Sequence, residues 1–154
     1  MTRAQELIAR LGLKPHPEGG HYAELFRSES RVQTPRGERR ALTTIDFLLR
    51  AGEFSAWHRV RSDEVWHLLE GGPLRLHWLP ADLSRVETVE LDAHCRRFVV
   101  PADAWQAAEP AGDYAYVGAT VGPGFEFADF AFGREDAALK QALARLQPAL
   151  GRLL

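Results

Sequence analysis

The sequence predicts a mainly β fold, a sandwich or barrel of antiparallel strands with a short helix at each end. Runs rich in β-branched and aromatic residues follow one another at regular spacing, and Gly, Pro and Asp turns separate them. Many short strands punctuated in this way are typical of all-β sandwiches and barrels. The runs are 42–49, 54–60, 64–69, 74–79, 96–100, 114–121 and 125–132.

Helical periodicity appears only near the two termini. Thr2 is suited to be the N-cap of a helix whose apolar face carries Leu7 and Leu11, and Gly12 favours its end. Leucines recur at helical spacing over 134–150 and predict a second helix. With 154 residues and no linker-like segment, the chain is expected to form a single domain over 1–154.

The segment between the first helix and the strands is less regular. Pro and Gly interrupt 15–20, which therefore predicts no regular structure. Residues 21–28 predict a strand and residues 29–40 an exposed loop. His16 and Glu18 lie in the Pro/Gly-rich part. A role in capping or turn formation fits this position at least as well as a catalytic role.

Charge and composition exclude several kinds of partner. The formal net charge is −2 and the basic residues are scattered, which argues against a nucleic-acid partner. The single cysteine, Cys95, leaves no intramolecular disulfide. No leader-like or membrane-spanning apolar run is seen, so the expectation is a cytoplasmic protein without a membrane partner.

The stretch 52–71 holds the residues most suited to chemistry. His58 and Val60 are two apart on one predicted strand and therefore face the same side. A tight turn at 61–63 leads into the strand of Glu64, so the pattern predicts a β-hairpin with His58 and Glu64 on adjacent strands. A histidine and a carboxylate in that arrangement can share a proton or a cation.

This stretch resembles the first sequence motif of the cupin superfamily, in which a glycine, a His-x-His pair, a glutamate and a second glycine follow at set spacings. Gly52, His58, Glu64 and Gly71 match that motif in register, whereas Val60 stands where its second histidine belongs. The resemblance implies a double-stranded β-helix, that is, a jelly-roll barrel.

Further phrases are similar to one branch of small single-domain cupins of unknown function. The resemblance to that branch implies a homodimer but no settled activity. The same assembly is favoured by the sequence itself, because exchange of strand 21–28 between two barrels would cover an exposed sheet edge. The phrases that carry the resemblance are 15–24, 57–67, 100–106 and 121–127.

The second cupin motif, which supplies a further metal ligand in the family, is altered here. Asp103 replaces its glycine and Gln106 its histidine. An amide oxygen holds transition metals less well than imidazole, and a catalytic metal normally has three protein ligands. We therefore expect no tightly bound metal; a weakly held divalent ion would use His58, Glu64 and Gln106.

Other residues are candidates for the walls of a ligand cavity. Strand alternation places Trp66 on the face of Glu64 and His67 on the opposite face, unless a β-bulge reverses the order. Tyr22 and Glu24 lie on the predicted strand 21–28 and line either a pocket or a dimer interface. The expected ligand-binding set is Gln106, Trp66, His67, Tyr22 and Glu24.

Three functions are compatible with this pattern. The leading hypothesis is a metal-independent isomerase, epimerase or lyase in which His58 and Glu64 move protons on a small molecule. The first alternative is a non-enzymatic module that binds a small molecule in the same cavity. The second is a divalent-metal enzyme, such as a dioxygenase, that uses His58, Glu64 and Gln106, with His67 as a further ligand if it faces the cavity.

Overall fold

The structure is a computed structural model that describes residues 1–154. Strands alternate with turns through most of the chain. Numbered β1 to β13 in chain order, they are Lys14–Pro15, His21–Arg27, Arg31–Thr34, Gly37–Arg40, Thr43–Arg50, Ser55–Val60, Asp63–Gly71, Leu74–Leu79, Glu87–Leu91, Arg97–Val100, Trp105–Pro110, Tyr114–Gly122 and Phe130–Phe132.

The strands form two facing antiparallel sheets. The first has the order β1-β2-β5-β12-β7-β10, and the second has the order β13-β6-β11-β8-β9. The remaining strands, β3 and β4, pair only with each other. Sequence neighbours repeatedly lie in opposite sheets, which is the arrangement expected of a jelly roll.

A short helix lies at each end, as the sequence predicts. Helix α1 is Arg3–Leu11; Thr2 accepts a hydrogen bond from the backbone N–H of Gln5, and Gly12 ends the helix at φ 65°. Helix α2 is Ala137–Leu146, and a 3-10 helix over Pro148–Leu153 follows it. No helix is long and apolar enough to cross a membrane.

The predicted hairpin between 54–60 and 64–69 is wrong. Strand β6 pairs with β11 and β13, whereas β7 pairs with β12 and β10 in the other sheet. The short turn between β6 and β7 therefore crosses from one sheet to the other. Both edges of each strand are already paired with distant strands, and this long-range pairing overrides the local turn signal.

Three further details differ from the sequence expectation. Residues 29–40 form the β3–β4 hairpin rather than a loop, and the buried carboxylate of Asp129 anchors it through ion pairs with Arg36 and Arg39. Of the strand predicted over 125–132, only β13 is extended, because a 3-10 turn occupies Phe127–Asp129. Strands β9 and β11 are not among the predicted runs.

The hydrophobic core fills only one part of the space between the sheets. Phe47, Trp66, Leu76 and Val117 belong to the largest buried cluster. A second cluster, which includes Trp57, packs the outer face of the second sheet against α2 and the 3-10 helix. The rest of the interior is open as a cavity.

Candidate functional site

The cavity lies between the two sheets and has a volume of about 280 Å³. Strands β2, β5, β7 and β12 of the first sheet line it, together with β6 and β13 of the second. Its wall combines acidic side chains, histidines and aromatic rings. Among the lining residues are Glu18, His58, Glu64, Phe125, Phe127 and Phe130.

His58 is buried and both of its ring nitrogens are engaged. Nδ1 lies 2.7 Å from the carbonyl oxygen of Ala56, which can only accept, so Nδ1 carries a hydrogen. Nε2 lies 3.0 Å from a carboxylate oxygen of Glu18, and that contact requires a second proton. His58 and Glu18 therefore form an imidazolium–carboxylate pair. The imidazole is also stacked on the ring of Phe130, with centroids 5.4 Å apart.

The electrostatics of this pair agree with its geometry. Burial disfavours the charged form of His58, but the charge and hydrogen bond of Glu18 outweigh burial and raise the pKa of His58 to about 9. For Glu18, burial would raise the pKa, but the imidazolium of His58 outweighs it and lowers the pKa. Both groups are thus charged at neutral pH.

The segment 15–20 positions Glu18 so that its side chain lines the cavity. Its chain lies directly on the sheets, since the backbone N–H of Ala56 donates to the carbonyl of Glu18 at 2.8 Å. Gly19 and Gly20 follow at φ 113° and 74°, a region that favours glycine. A Cβ at Gly20 would lie 2.7 Å from the carbonyl oxygen of Leu48, so only glycine allows this close approach.

His16 supports the position of Glu18 without forming an ion pair at hydrogen-bond distance. Its Nδ1 accepts a hydrogen bond from the backbone N–H of Glu18 at 3.0 Å, so the ring hydrogen lies on Nε2. Burial lowers the pKa of His16, which is therefore neutral near pH 7. The ring packs edge-on against Tyr22, with centroids 4.4 Å apart.

Glu64 is held by a hydrogen-bonded chain that ends in the core. The indole N–H of Trp66 donates to Gln106 Oε1 at 2.7 Å, and the amide nitrogen of Gln106 donates to Glu64 Oε1 at 2.8 Å. Because an indole can only donate, the orientation of the Gln106 amide is fixed. Trp66 and Gln106 lie behind Glu64 and do not line the cavity.

The second oxygen of Glu64, Oε2, makes no hydrogen bond within the protein, while Glu64 itself lines the cavity. Glu64 is only 7% exposed. Burial raises its pKa to about 7, although His58 lowers it, and the negative charge of Glu18 adds to the increase. A carboxyl group with this pKa changes charge near neutral pH.

The structure brings together most of the site residues that the sequence suggested. His58 and Glu64 face the same cavity from opposite sheets, and Tyr22 and Glu24 line its wall. His67 lies on the outer face of β7, where it pairs in register with Arg97 and Gly118, and does not reach the cavity. The predicted ligand-binding set is therefore wrong for His67, and also for Gln106 and Trp66, which lie behind Glu64 and do not line the cavity.

The sequence leaves the role of Glu18 open between turn formation and catalysis, whereas the structure places its carboxylate in the cavity against His58. Glu18 lies in an irregular segment, where periodicity gives no direction for a side chain. The one available signal is the Gly-Gly pair that follows it, because adjacent glycines mark backbone that must approach other backbone closely.

The residues present do not fit the metal centre that the cupin resemblance implies. The amide nitrogen of Gln106, not its oxygen, faces Glu64, and Val60 supplies no donor. His58 Nε2 is protonated and bonded to Glu18, so it offers no lone pair. No three His, Cys, Asp or Glu side chains are grouped in a metal-binding arrangement.

The mouth of the cavity is an acidic and aromatic rim. Arg27 forms ion pairs with Glu24 at 2.7 Å and Glu126 at 3.2 Å, and also donates to the carbonyl oxygen of Phe125. The rings of Phe125, Phe127 and Phe130 touch one another edge to face, with centroids 5.0 to 6.2 Å apart.

Comparison with known proteins identifies a family. The model of the family described as Cupin superfamily (DUF985) matches residues 5–133. This match confirms the resemblance noted in the sequence. A search of the curated proteins found no match.

Solved structures agree with that match. A hypothetical protein from Leishmania major is 31% identical with a TM-score of 0.79, and the alignment covers 91% of this chain and 98% of that one. A protein of Shewanella oneidensis is also 31% identical, with a TM-score of 0.80 and coverage of 99% and 95%. Oxalate decarboxylase from Bacillus subtilis is 13% identical, with a TM-score of 0.59 and coverage of 91% and 36%. This last likeness shows a common fold only. The mainly β cupin fold is confirmed.

Proposed function

The chain belongs to the DUF985 family of the cupin superfamily, and we propose that its barrel binds a small organic molecule and transfers a proton on it through Glu64. Such chemistry corresponds to an isomerase, an epimerase or a lyase that needs no metal. The observation that carries the proposal is the buried carboxyl of Glu64, with one oxygen fixed by Gln106 and the other free in the cavity.

Glu64 meets the requirements of a general acid or base. A proton-transfer group works best when its pKa lies near the working pH, and burial raises that of Glu64 to about 7. Gln106, which is itself oriented by Trp66, holds Oε1, and Oε2 is left for a substrate C–H or O–H. Elevated pKa values of this origin are common at active sites.

His58 and Glu18 have a different part in the proposal. Both nitrogens of His58 are already engaged, so His58 does not exchange a proton with the ligand unless its bond to Glu18 opens. The imidazolium instead acts on Glu64, because its positive charge lowers the pKa of that carboxyl against the opposing effects of burial and of Glu18. Glu18 is the positioning residue that keeps His58 protonated.

Hydrogen–deuterium exchange on the ligand tests the proposal even when the product of the reaction is unknown. Ligands are first found by thermal-shift screening of a metabolite panel, since a ligand that binds the folded state raises the melting temperature. Each hit is then incubated with the protein in deuterium oxide and followed by proton NMR. We expect loss of one C–H signal of the ligand in the presence of the protein.

Matched variants separate catalysis from binding. Glu64→Gln is nearly isosteric and keeps an acceptor for Gln106, so we expect it to retain binding and to slow exchange at least about a hundredfold. Glu90→Gln changes an exposed glutamate far from the cavity and should leave exchange unchanged. Exchange that survives Glu64→Gln refutes the role of Glu64. Binding without exchange for every hit would favour the alternative, a non-enzymatic binding module.

A further inference from the structure

The charged side chains that line the cavity are unbalanced. Four glutamates contribute carboxyl groups, whereas Arg27 and His58 are the only side chains there that carry positive charge at neutral pH. With Glu64 ionised, the lining therefore has a net negative charge. The four carboxyl groups are those of Glu18, Glu24, Glu64 and Glu126.

Both cations are already paired with carboxylates of the protein. His58 is neutralised by Glu18 at 3.0 Å. Each of the three side-chain nitrogens of Arg27 donates to a protein acceptor, which is Glu24, Glu126 or the carbonyl oxygen of Phe125. A phosphate or carboxylate would thus be repelled by the net negative charge of the lining, and it would have to compete with protein carboxylates for both cations.

A positively charged group finds partners at two places. Glu64 Oε2 makes no hydrogen bond in the protein and belongs to a residue that is only 7% exposed. The faces of aromatic rings also attract cations, and Phe125, Phe127 and Phe130 form a cluster beside the carboxyl groups. Phe127 is 56% exposed although it lines the cavity, so a ligand would shield apolar surface there.

We propose that the cavity takes a small organic cation, an amine or quaternary ammonium compound, with its charged group between Glu64 and the cluster of Phe125, Phe127 and Phe130. This inference names the ligand class of the function proposed above and rests on it. The carboxylate supplies the charge partner, and the rings supply a surface that suits methyl or methylene groups on nitrogen.

Binding of such a cation depends on pH in a defined direction. Glu64 attracts the cation when it is ionised but not when it is protonated. The ionised fraction of Glu64 rises with pH through about 7. The groups that face Glu64 do not reverse this trend: His58, with a pKa of about 9, stays protonated, and Glu18, whose pKa is lowered, stays ionised. His16 is neutral, and Gln106 does not titrate. The affinity therefore increases from about pH 6 to about pH 8.

Three probes of one shape but different charge test the proposal. Choline is the cation. The neutral isostere is the alcohol in which a tert-butyl group replaces the trimethylammonium group of choline. The anion is tert-butylacetate, the carboxylate of tert-butylacetic acid. Their dissociation constants for the intact protein are measured by ligand-observed NMR. We expect choline to bind about tenfold more tightly than the neutral alcohol, and tert-butylacetate to bind most weakly.

Two variants assign the preference to the site. Glu64→Gln should weaken choline about tenfold and abolish the pH dependence, with little effect on the neutral alcohol. Phe127→Leu keeps an apolar side chain at an exposed position but removes the ring, and should reduce the preference for choline without unfolding the protein.

The outcomes distinguish the ligand class from the proposed function. Equal or tighter binding of the neutral alcohol or of tert-butylacetate, or no binding of any probe, overturns the inference of a cationic ligand. Choline binding that requires Glu64, combined with no deuterium exchange on any bound amine, sustains the ligand class and refutes proton transfer.

Discussion

The pair formed by His58 and Glu18 gives a quantitative prediction for the variant Glu18→Gln. In the folded protein the pKa of His58 is about 9, compared with 6.5 for an ordinary histidine. At about 1.4 kcal/mol per pKa unit, this interval corresponds to about 3 kcal/mol of folding stability. The figure applies to a buried group, so solvent screening does not reduce it strongly.

The sign of the pH dependence follows from the raised pKa. Stabilisation by protonated His58 is fully present below about pH 6.5 and is lost as pH rises towards about 9. In Glu18→Gln the charge of Glu18 is missing, so burial lowers the pKa of His58 and the ring is neutral across this pH range. The variant therefore does not lose this stabilisation as pH rises. The stability difference between the wild type and the variant should therefore shrink by about 3 kcal/mol between these pH values.

Urea unfolding at a series of pH values measures this difference. Glu109→Gln is the matched control, because Glu109 lies 3.1 Å from Nε2 of another buried histidine, His77. Burial lowers the pKa of His77 in spite of Glu109, so His77 is neutral across the same range. The control should keep the pH slope of the wild type. A slope in Glu18→Gln equal to that of the wild type would refute the charged pair.

Two further predictions concern metal binding and assembly. Val60→His restores the histidine of the cupin motif on a side chain that lines the cavity, so zinc affinity should rise at least about tenfold in calorimetric titration; no gain would contradict the alignment of this motif. The homodimer expected from the sequence stays a prediction. Beyond Tyr22 the outer edge of β2 has no strand partner, and Leu25 and Phe26 are 67% and 52% exposed. Light scattering should give twice the monomer mass at micromolar concentration, and Leu25→Glu should reduce it; a monomeric wild type would refute the prediction.

Strand alternation is the most reliable guide that the sequence offers. It places His58, Glu64 and Trp66 on inward faces and His67 on an outward face, and the structure has them so. The period of two along a strand is local geometry, which does not depend on the strand's partners. Helix α1 is likewise predictable, because its cap residues Thr2 and Gly12 directly flank the helix in the sequence.

Pairing between strands and contacts between side chains are harder to predict. The turn before Glu64 has the length of a hairpin, yet the chain crosses to the opposite sheet, because long-range pairing decides the sheet to which a strand belongs. The sequence predicts Gln106 beside His58 and Glu64, but the direction of its amide depends on Trp66, a contact that the sequence does not reveal.

The ionisation of Glu64 tests the central claim most directly. Carbon-13 NMR of the side-chain carboxyl carbons follows each glutamate as a function of pH, and comparison with Glu64→Gln assigns the signal. We predict that Glu64 is protonated at low pH and ionises with a midpoint near 7, since burial raises its pKa to about 7. A midpoint near 4.5, the ordinary value for glutamate, would contradict this prediction.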